Sequence, residues 1–393
     1  MPGPLDGYRV IDVTQMISGP VATMMLGDQG ADVIKVEPPT TGDLTRAMGG
    51  TRRGIAPPFA TANRNKRSVV INLSDAHGVE VLKRLVASAD LFVQNFRPGT
   101  VDRMGIGEPA LRAVKPNLIY VSISGFGETG PYIHKRVYDP VIQALSGLAS
   151  IQGDQETGRP RMMRLIVPDL VSALTAAQAM TAALLARERT GEGQHVRLAM
   201  LDAVVAFHWP EAMAAHTFID QQGRSYRQPS RDLVFETTDG YVTAGAVSDT
   251  EWRGMCRALE RPEWIDDERF ATIAARARNL SERLECTAEV LKTKSSAEWL
   301  ARLEAEQVPS APILSRDEVL RDPQVVANEL IVESVHPHAG AMRQARPAAR
   351  FSATPSELRR PAPLLGEHTD EVLTSMGVAQ EELASLRAAG VVA

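Results

Sequence analysis

YRVIDVTQMISGPVATMMLGDQGADVIKVE, residues 8–37, sets the architecture. Residues 8–13 are a short apolar run and read as a strand. Ser18-Gly19-Pro20 follows, with Pro20 suited to the first turn of a helix, where its missing N–H costs nothing. Residues 22–26 continue that helix, Gly30 ends it, and residues 31–37 form a second apolar run. Strand, helix and strand within about 30 residues make a βαβ unit.

The same beat continues downstream. Residues 68–73 read as a strand. Residues 75–88 read as a helix with Val79, Leu82 and Val86 on one face. Residues 90–96 are a strand, 109–114 a short helix and 118–124 another strand. Such alternation predicts an α/β fold, a parallel sheet with helices on both faces. Residues 41–65, punctuated by Gly, Pro and Arg, read as a long loop.

A second informative stretch is RPRMMRLIVPDLVSALTAAQAMTAALLARERTGEGQ, residues 159–194. Good helix formers run from Pro168-Asp169 to Gly191, with no charge between Asp169 and Arg187. A helix apolar all round is expected to be buried. Its one acid, Asp169, stands at the beginning. There it has two readings: a cap for free backbone N–H groups, or a carboxylate held at the mouth of a buried helix for chemistry.

Beyond residue 194 the pattern changes. Residues 195–200 look extended and 202–218 helical apart from Pro210. Residues 221–230 (QQGRSYRQPS) are polar and basic and read as a linker. Asp239-Gly240 between two apolar runs marks a hairpin. Residues 231–323 read as a smaller α+β domain, and the tail gives two short helices around Gly377.

The 43 Lys and Arg against 48 Asp and Glu leave a net charge of −5, so nothing draws this chain generally to nucleic acid or acidic membranes. A polyanionic ligand would need a local basic cluster. Cys256 and Cys286 form neither a CxxC pair nor a metal spacing, which fits a reduced, cytoplasmic protein. The opening MPGPLDGYRV lacks a basic region followed by an apolar one, so no secretory signal is expected there.

Ligands of open α/β sheets bind beyond the carboxyl ends of the strands. After the first strand comes Ser18-Gly19-Pro20, a helix opening whose N–H groups can face an anion. After the fourth comes Asn95-Phe96-Arg97-Pro98-Gly99, with Arg103 close behind. After the fifth come Ser124-Gly125-Phe126-Gly127 and His134-Lys135-Arg136, and Asn65-Lys66-Arg67 precedes the third. These cations either gather at one edge of the sheet or are scattered solvated charge. Gly125, Gly127 and Gly130 spell GxGxxG, but no amphipathic helix opens after them and no acid follows at the next strand end, so dinucleotide binding is not indicated.

PLDGYRVIDVT, SGP, LGDQGADVIKVEPP, NRNKRSVVINL, NFRPGTVDRMG, PNLIYVSISGFGETGPY, YDPVIQALSG, GEGQHVRLAMLDA and APLLGEHT together resemble the class III CoA-transferases (CaiB/BaiF), from Pro4 to about Gly377. This is the family of formyl-CoA transferase and carnitine CoA-transferase. The resemblance implies a Rossmann-like large domain from residues 1–220 and 324–393, a small domain at 221–323 with its linkers, and an interlocked homodimer. It implies CoA transfer from an acyl-CoA donor to a carboxylic acid through an aspartyl anhydride or thioester. Asp169 matches the nucleophile, and Tyr138 and Asp139 match the groups beside the thioester. Ser18, Asn95, Phe96, Arg97, Arg103 and Arg136 match the contacts to CoA, which enters as substrate, with no tightly bound cofactor and no metal.

The departures are specific. Asp139 replaces a glutamate of formyl-CoA transferase, Ile17 and Pro38 replace its Gln and Arg, and only Gly245-Ala246-Val247-Ser248 stands near its glycine run. Two alternatives share these residues: an α-methylacyl-CoA racemase, whose His-Asp pair would have to be Tyr138-Asp139, and a catalytically silent CoA-binding protein.

Overall fold

The computed structural model describes residues 1–154, 157–219 and 232–393. It falls into two compact units. Met1–Gln152, Arg161–Ala214 and Glu329–Ala393 form one; Gly153–Pro160 and Ala215–Asn328 form the other. The linker at 221–230 and the domain boundary at 220/221 lie outside the described residues.

The first unit is built on six strands: β1 (Arg9–Asp12), β2 (Asp32–Glu37), β3 (Lys66–Val70), β4 (Leu91–Gln94), β5 (Ile119–Ser124) and β6 (His195–Ala199). All pair in parallel, in the order β3-β2-β1-β4-β5-β6. The chain winds outward from β1 through β2 to β3, then returns to the other side of β1 for β4. That reversal opens a crevice beyond the carboxyl ends of β1 and β4, where such sheets bind ligands.

Alternate strand residues face opposite layers. Val10, Val33, Leu91 and Val121 pack against the helices Ser18–Asp28 and Val167–Thr190, through Leu26, Ala173, Met180 and Leu184. Ile11, Ile34, Phe92 and Tyr120 pack the other way, against Leu82 and Leu85 of Ala76–Ala87 and against Leu373 and Leu383 of the C-terminal helices. Burying each such side chain contributes about 1.5–3 kcal/mol. The return segment is tied in through Asn65, whose Oδ1 accepts from the backbone N–H groups of Arg359 (2.7 Å) and Arg360 (2.9 Å).

Three details differ from the sequence reading. β3 begins at Lys66, because the Lys66 ammonium is fully buried against Asp12 at 2.8 Å, while Arg67 is engaged by Asp32 and Glu371. Neither therefore joins a basic cluster at the carboxyl edge. The helix expected over 202–218 spans Met200–His208 and stops before Pro210. The 24-residue helix Val167–Thr190 passes the length and hydropathy test for a membrane span. Its Ala173, Ala176 and Met180 are buried beside the sheet, so it is a core helix, but Leu174 and Leu185 stay more than half exposed.

The second unit has an antiparallel sheet of β7 (Phe235–Glu236), β8 (Tyr241–Ala244) and β9 (Ser310–Pro312). Helices around Trp252, Phe270 and Trp299 complete its core. The first unit also carries an antiparallel ribbon of β10 (Ile331–His336) and β11 (Gly340–Ala345).

Candidate active site

The loop after β1 is set by buried charge. Asp12 accepts from the Thr14 N–H at 2.9 Å, the Thr23 hydroxyl at 2.7 Å and the Lys66 ammonium at 2.8 Å. Burial alone pushes its carboxyl up, but Lys66 and Lys35 beside it more than offset that and hold it well below the usual range. Lys35 in turn pairs with Asp43 at 2.8 Å, and Asp43 accepts the Met16 N–H at 3.2 Å. Met16 thus sits in the left-handed region, at φ 70°, a strain found at sites that the surroundings over-determine. Gly19 has no substitute here, since a Cβ would come within 2.4 Å of Thr14 Cβ. Ser18 is thereby brought to the start of its helix with its hydroxyl facing the crevice.

A cavity of about 340 Å³ lies beyond the carboxyl ends of β1, β4 and β5. Seven of the nine residues matched through the family resemblance line it: Ser18, Asn95, Phe96, Arg97, Arg136, Tyr138 and Asp169. Gln15, Met16, Leu44, Lys135 and Met200 join them. Arg103 stands outside this wall, with its guanidinium on Thr100 Oγ1 at 3.2 Å. Asp139 lies behind the wall and is buried. Among the described residues, neither Arg97 nor Arg136 pairs with a carboxylate. Their charges remain available to an anion.

Asn95 has both ends of its amide engaged. Its Oδ1 accepts the Gln15 N–H at 2.9 Å and its Nδ2 donates to the Gln15 carbonyl at 2.8 Å. It staples the loop after β4 to the loop after β1 and shapes the wall as well as lining it.

Asp169 is the third residue of Val167–Thr190; the cap position belongs to Ile166, which has no side-chain acceptor. The capping reading is therefore wrong in its detail. Asp139 supplies an acceptor from outside, its Oδ2 taking the Asp169 N–H at 3.4 Å. The Asp169 carboxyl is pushed up to about 6, first by burial and then by the nearby Asp139 charge, against a hydrogen bond from Ser18 that lowers it. A half-buried carboxylate with a raised pKa, facing a cavity lined by cations, is equipped for attack on an electrophile.

The sequence from residue 5 to residue 369 matches the model of CoA-transferase family III. The chain belongs to CoA-transferase family III. As such it moves coenzyme A between acyl-CoA thioesters and carboxylic acids. Succinyl-CoA:glutarate CoA-transferase of Mus musculus is 37% identical over 383 residues, covering 94% of this chain and 86% of that protein. Formyl-CoA:oxalate CoA-transferase of Escherichia coli O6:H1 is 33% identical, covering 98% of this chain and 99% of that one. The crystal structure of a CAIB/BAIF family protein from Brucella suis superposes with a TM-score of 0.82 at 31% identity, covering 96% and 100% of the two chains.

Within this family III enzyme, sequence reasoning passed over Gln143. It is buried, one turn beyond Asp139. Its Nε2 donates to Asp139 Oδ1 at 2.6 Å, and its Oε1 accepts the Met163 N–H at 2.9 Å. The only signal was its spacing from Asp139, which puts the two on one helix face. Met200 was likewise read as the end of an extended run. Its side chain reaches the cavity because the helix Met200–His208 begins there.

Proposed function

We propose that this enzyme transfers CoA by covalent catalysis on Asp169, with short dicarboxylic acids of the succinate and glutarate class as donor and acceptor. The observation that carries the reading is Asp169 itself, facing a cation-lined cavity with its carboxyl raised to about 6. The succinyl-CoA:glutarate enzymes among the relatives support the substrate class.

An Asp169 oxygen attacks the thioester carbonyl, the C–S bond breaks, and CoA thiolate leaves behind a mixed anhydride. The thiolate attacks the aspartyl carbonyl of that anhydride and releases the donor acid, giving an aspartyl-CoA thioester. The acceptor carboxylate displaces the thiolate to form a second anhydride, and the thiolate then takes the acceptor acyl group and frees Asp169. The acceptor can also enter at the first anhydride, without the aspartyl-CoA stage. Arg97, Arg103 and Arg136 hold CoA phosphates, for which guanidinium gives bidentate geometry. Ser18, Asn95 and Phe96 contact the rest of CoA, and Tyr138 flanks the thioester, while Asp139 acts from behind the wall through the Asp169 N–H.

The working form is an interlocked homodimer. The exposed apolar side chains of Leu174, Leu185 and Phe207 support a covering second copy. The free thiols of Cys256 and Cys286 support a reducing, cytoplasmic location. The test of the activity is a panel of CoA thioesters against carboxylic acids, read by mass spectrometry. Succinyl-CoA with glutarate should give glutaryl-CoA. Exchange confined to monocarboxylic acids would overturn the substrate class, and no exchange from a folded dimer would overturn the reading as a whole.

A further inference from the structure

We infer that Gln94, Ser122 and His195 are positioning residues that hold the loop after β4, residues 95–98, in the register that receives CoA. The inference rests on the reading of that loop as CoA-binding. The three lie on adjacent strands, β4, β5 and β6, just below the cavity. Gln94 Oε1 accepts the backbone N–H of Phe96 at 2.8 Å. Gln94 Nε2 donates to Ser122 Oγ at 2.9 Å. Ser122 Oγ lies 2.8 Å from His195 Nε2.

The sense of this chain is fixed by its end in the loop. A backbone N–H can only donate, so the oxygen end of the Gln94 amide must face Phe96 and its NH₂ must face Ser122. The Ser122 hydroxyl receives that hydrogen and has its own proton left to give. His195 Nε2 is the group within reach, so it accepts, and the ring proton sits on Nδ1. Burial first, and then the Arg197 charge, lower the His195 pKa, in keeping with a neutral ring. Nδ1 is buried without a hydrogen-bond partner, so the chain ends there.

Gln94 and Ser122 are buried, and a broken link strands a buried polar group with no water to replace its partner. Each link therefore constrains the next, and the loop N–H is the last of them. Asn95 grips Gln15 on the β1 side while Gln94 grips β5 and β6 on the other. The loop carrying Phe96 and Arg97 is thus pinned from both flanks of β4, before any ligand arrives. Preorganisation of this kind raises affinity because less ordering remains to be done on binding.

The test is calorimetric titration of CoA into the full-length protein, with melting temperature measured alongside. Gln94→Leu keeps the volume and removes both amide bonds. Ser122→Ala breaks the middle link, whereas Ser122→Thr keeps the hydroxyl on a strand that suits a β-branched residue. Gln94→Leu and Ser122→Ala should weaken CoA binding about three- to tenfold, the worth of one hydrogen bond. Ser122→Thr should bind like the wild type. A merely structural role would lower the melting temperature and leave affinity alone, which would overturn the inference. Equal weakening by Ser122→Ala and Ser122→Thr would overturn it too, and that pair decides the matter if Gln94→Leu does not fold. Failure of the wild type to bind CoA would instead overturn the reading of the cavity.

Discussion

The Asp169 backbone N–H donates to Asp139 Oδ2 at 3.4 Å, so a buried carboxylate caps the helix whose first turn carries the proposed nucleophile. Burial raises the Asp169 carboxyl first, and the negative charge that this contact places beside it raises it further. Asp139 therefore does two opposed things: it fixes the helix end and makes the anion on Asp169 less comfortable. A less comfortable carboxylate is more basic and, at a pH above its pKa, a better nucleophile.

The pH profile follows. Attack requires the ionised form, and the Asp169 carboxyl takes up its proton as pH falls through about 6. The rate kcat/KM, which reports the free enzyme, should fall below that pH in proportion to the ionised fraction. Asp139→Asn keeps an oxygen to accept the Asp169 N–H but removes the charge. Its acid limb should move to lower pH. A limb left in place would assign the raised pKa to burial alone.

Stability should show the opposite sign. The folded-state carboxyl of Asp169 titrates at about 6 against an ordinary 3.8. The folded state thus holds its proton over a window where the unfolded state has lost it. Stability falls as pH rises through that window, and the full cost is present above it. Asp169→Asn removes the cost, so denaturant melts at pH 8 should show a gain of up to about 3 kcal/mol. The gain should be gone near pH 4. This variant should be inactive, which makes it a case of stability traded against function.

Arg97 and Arg136 line the cavity without a carboxylate partner among the described residues. Replacing either with Ala should weaken CoA by roughly ten- to hundredfold, the worth of a charged hydrogen bond. Melting temperature should barely change, because both side chains are exposed. Wild-type affinity should also drop as salt rises, since charge attraction at a solvated rim is screened. Calorimetry showing unchanged affinity in both variants would move the phosphates elsewhere.

Much of the sheet was legible because apolar runs and helix breakers act locally. The βαβ beat from Tyr8 to Glu37 needs only neighbouring residues, and five of the six parallel strands sit within two residues of their expected starts and ends. The Lys66 start of β3 was not legible, because its partner Asp12 is 54 positions away and a strand lysine looks solvated until that partner is known. Asp169 could be read as a cap because helix starts and Asp go together. Telling a cap from a third residue takes the backbone angles of Ile166. The cavity wall was legible in its motifs, whereas the Asp139–Gln143 and Gln94–Ser122–His195 contacts join polar residues that carry no pattern of their own.

The covalent step can be tested directly. Enzyme mixed with a reactive acyl-CoA, with no acceptor present, should accumulate a modified Asp169. The anhydride left by carboxylate attack is electrophilic at the aspartyl carbonyl, and hydroxylamine should convert that side chain to a hydroxamate. Borohydride should instead reduce an aspartyl-CoA thioester to the alcohol. Both products add or remove a defined mass on one peptide, so digestion and mass spectrometry locate them. Asp169→Asn has a poor nucleophile in the same place and should give neither. A chemistry that passed through an enolate would leave Asp169 untouched and carry solvent deuterium into the α-carbon. An unmodified Asp169 with deuterium at that carbon would remove it from the role of nucleophile.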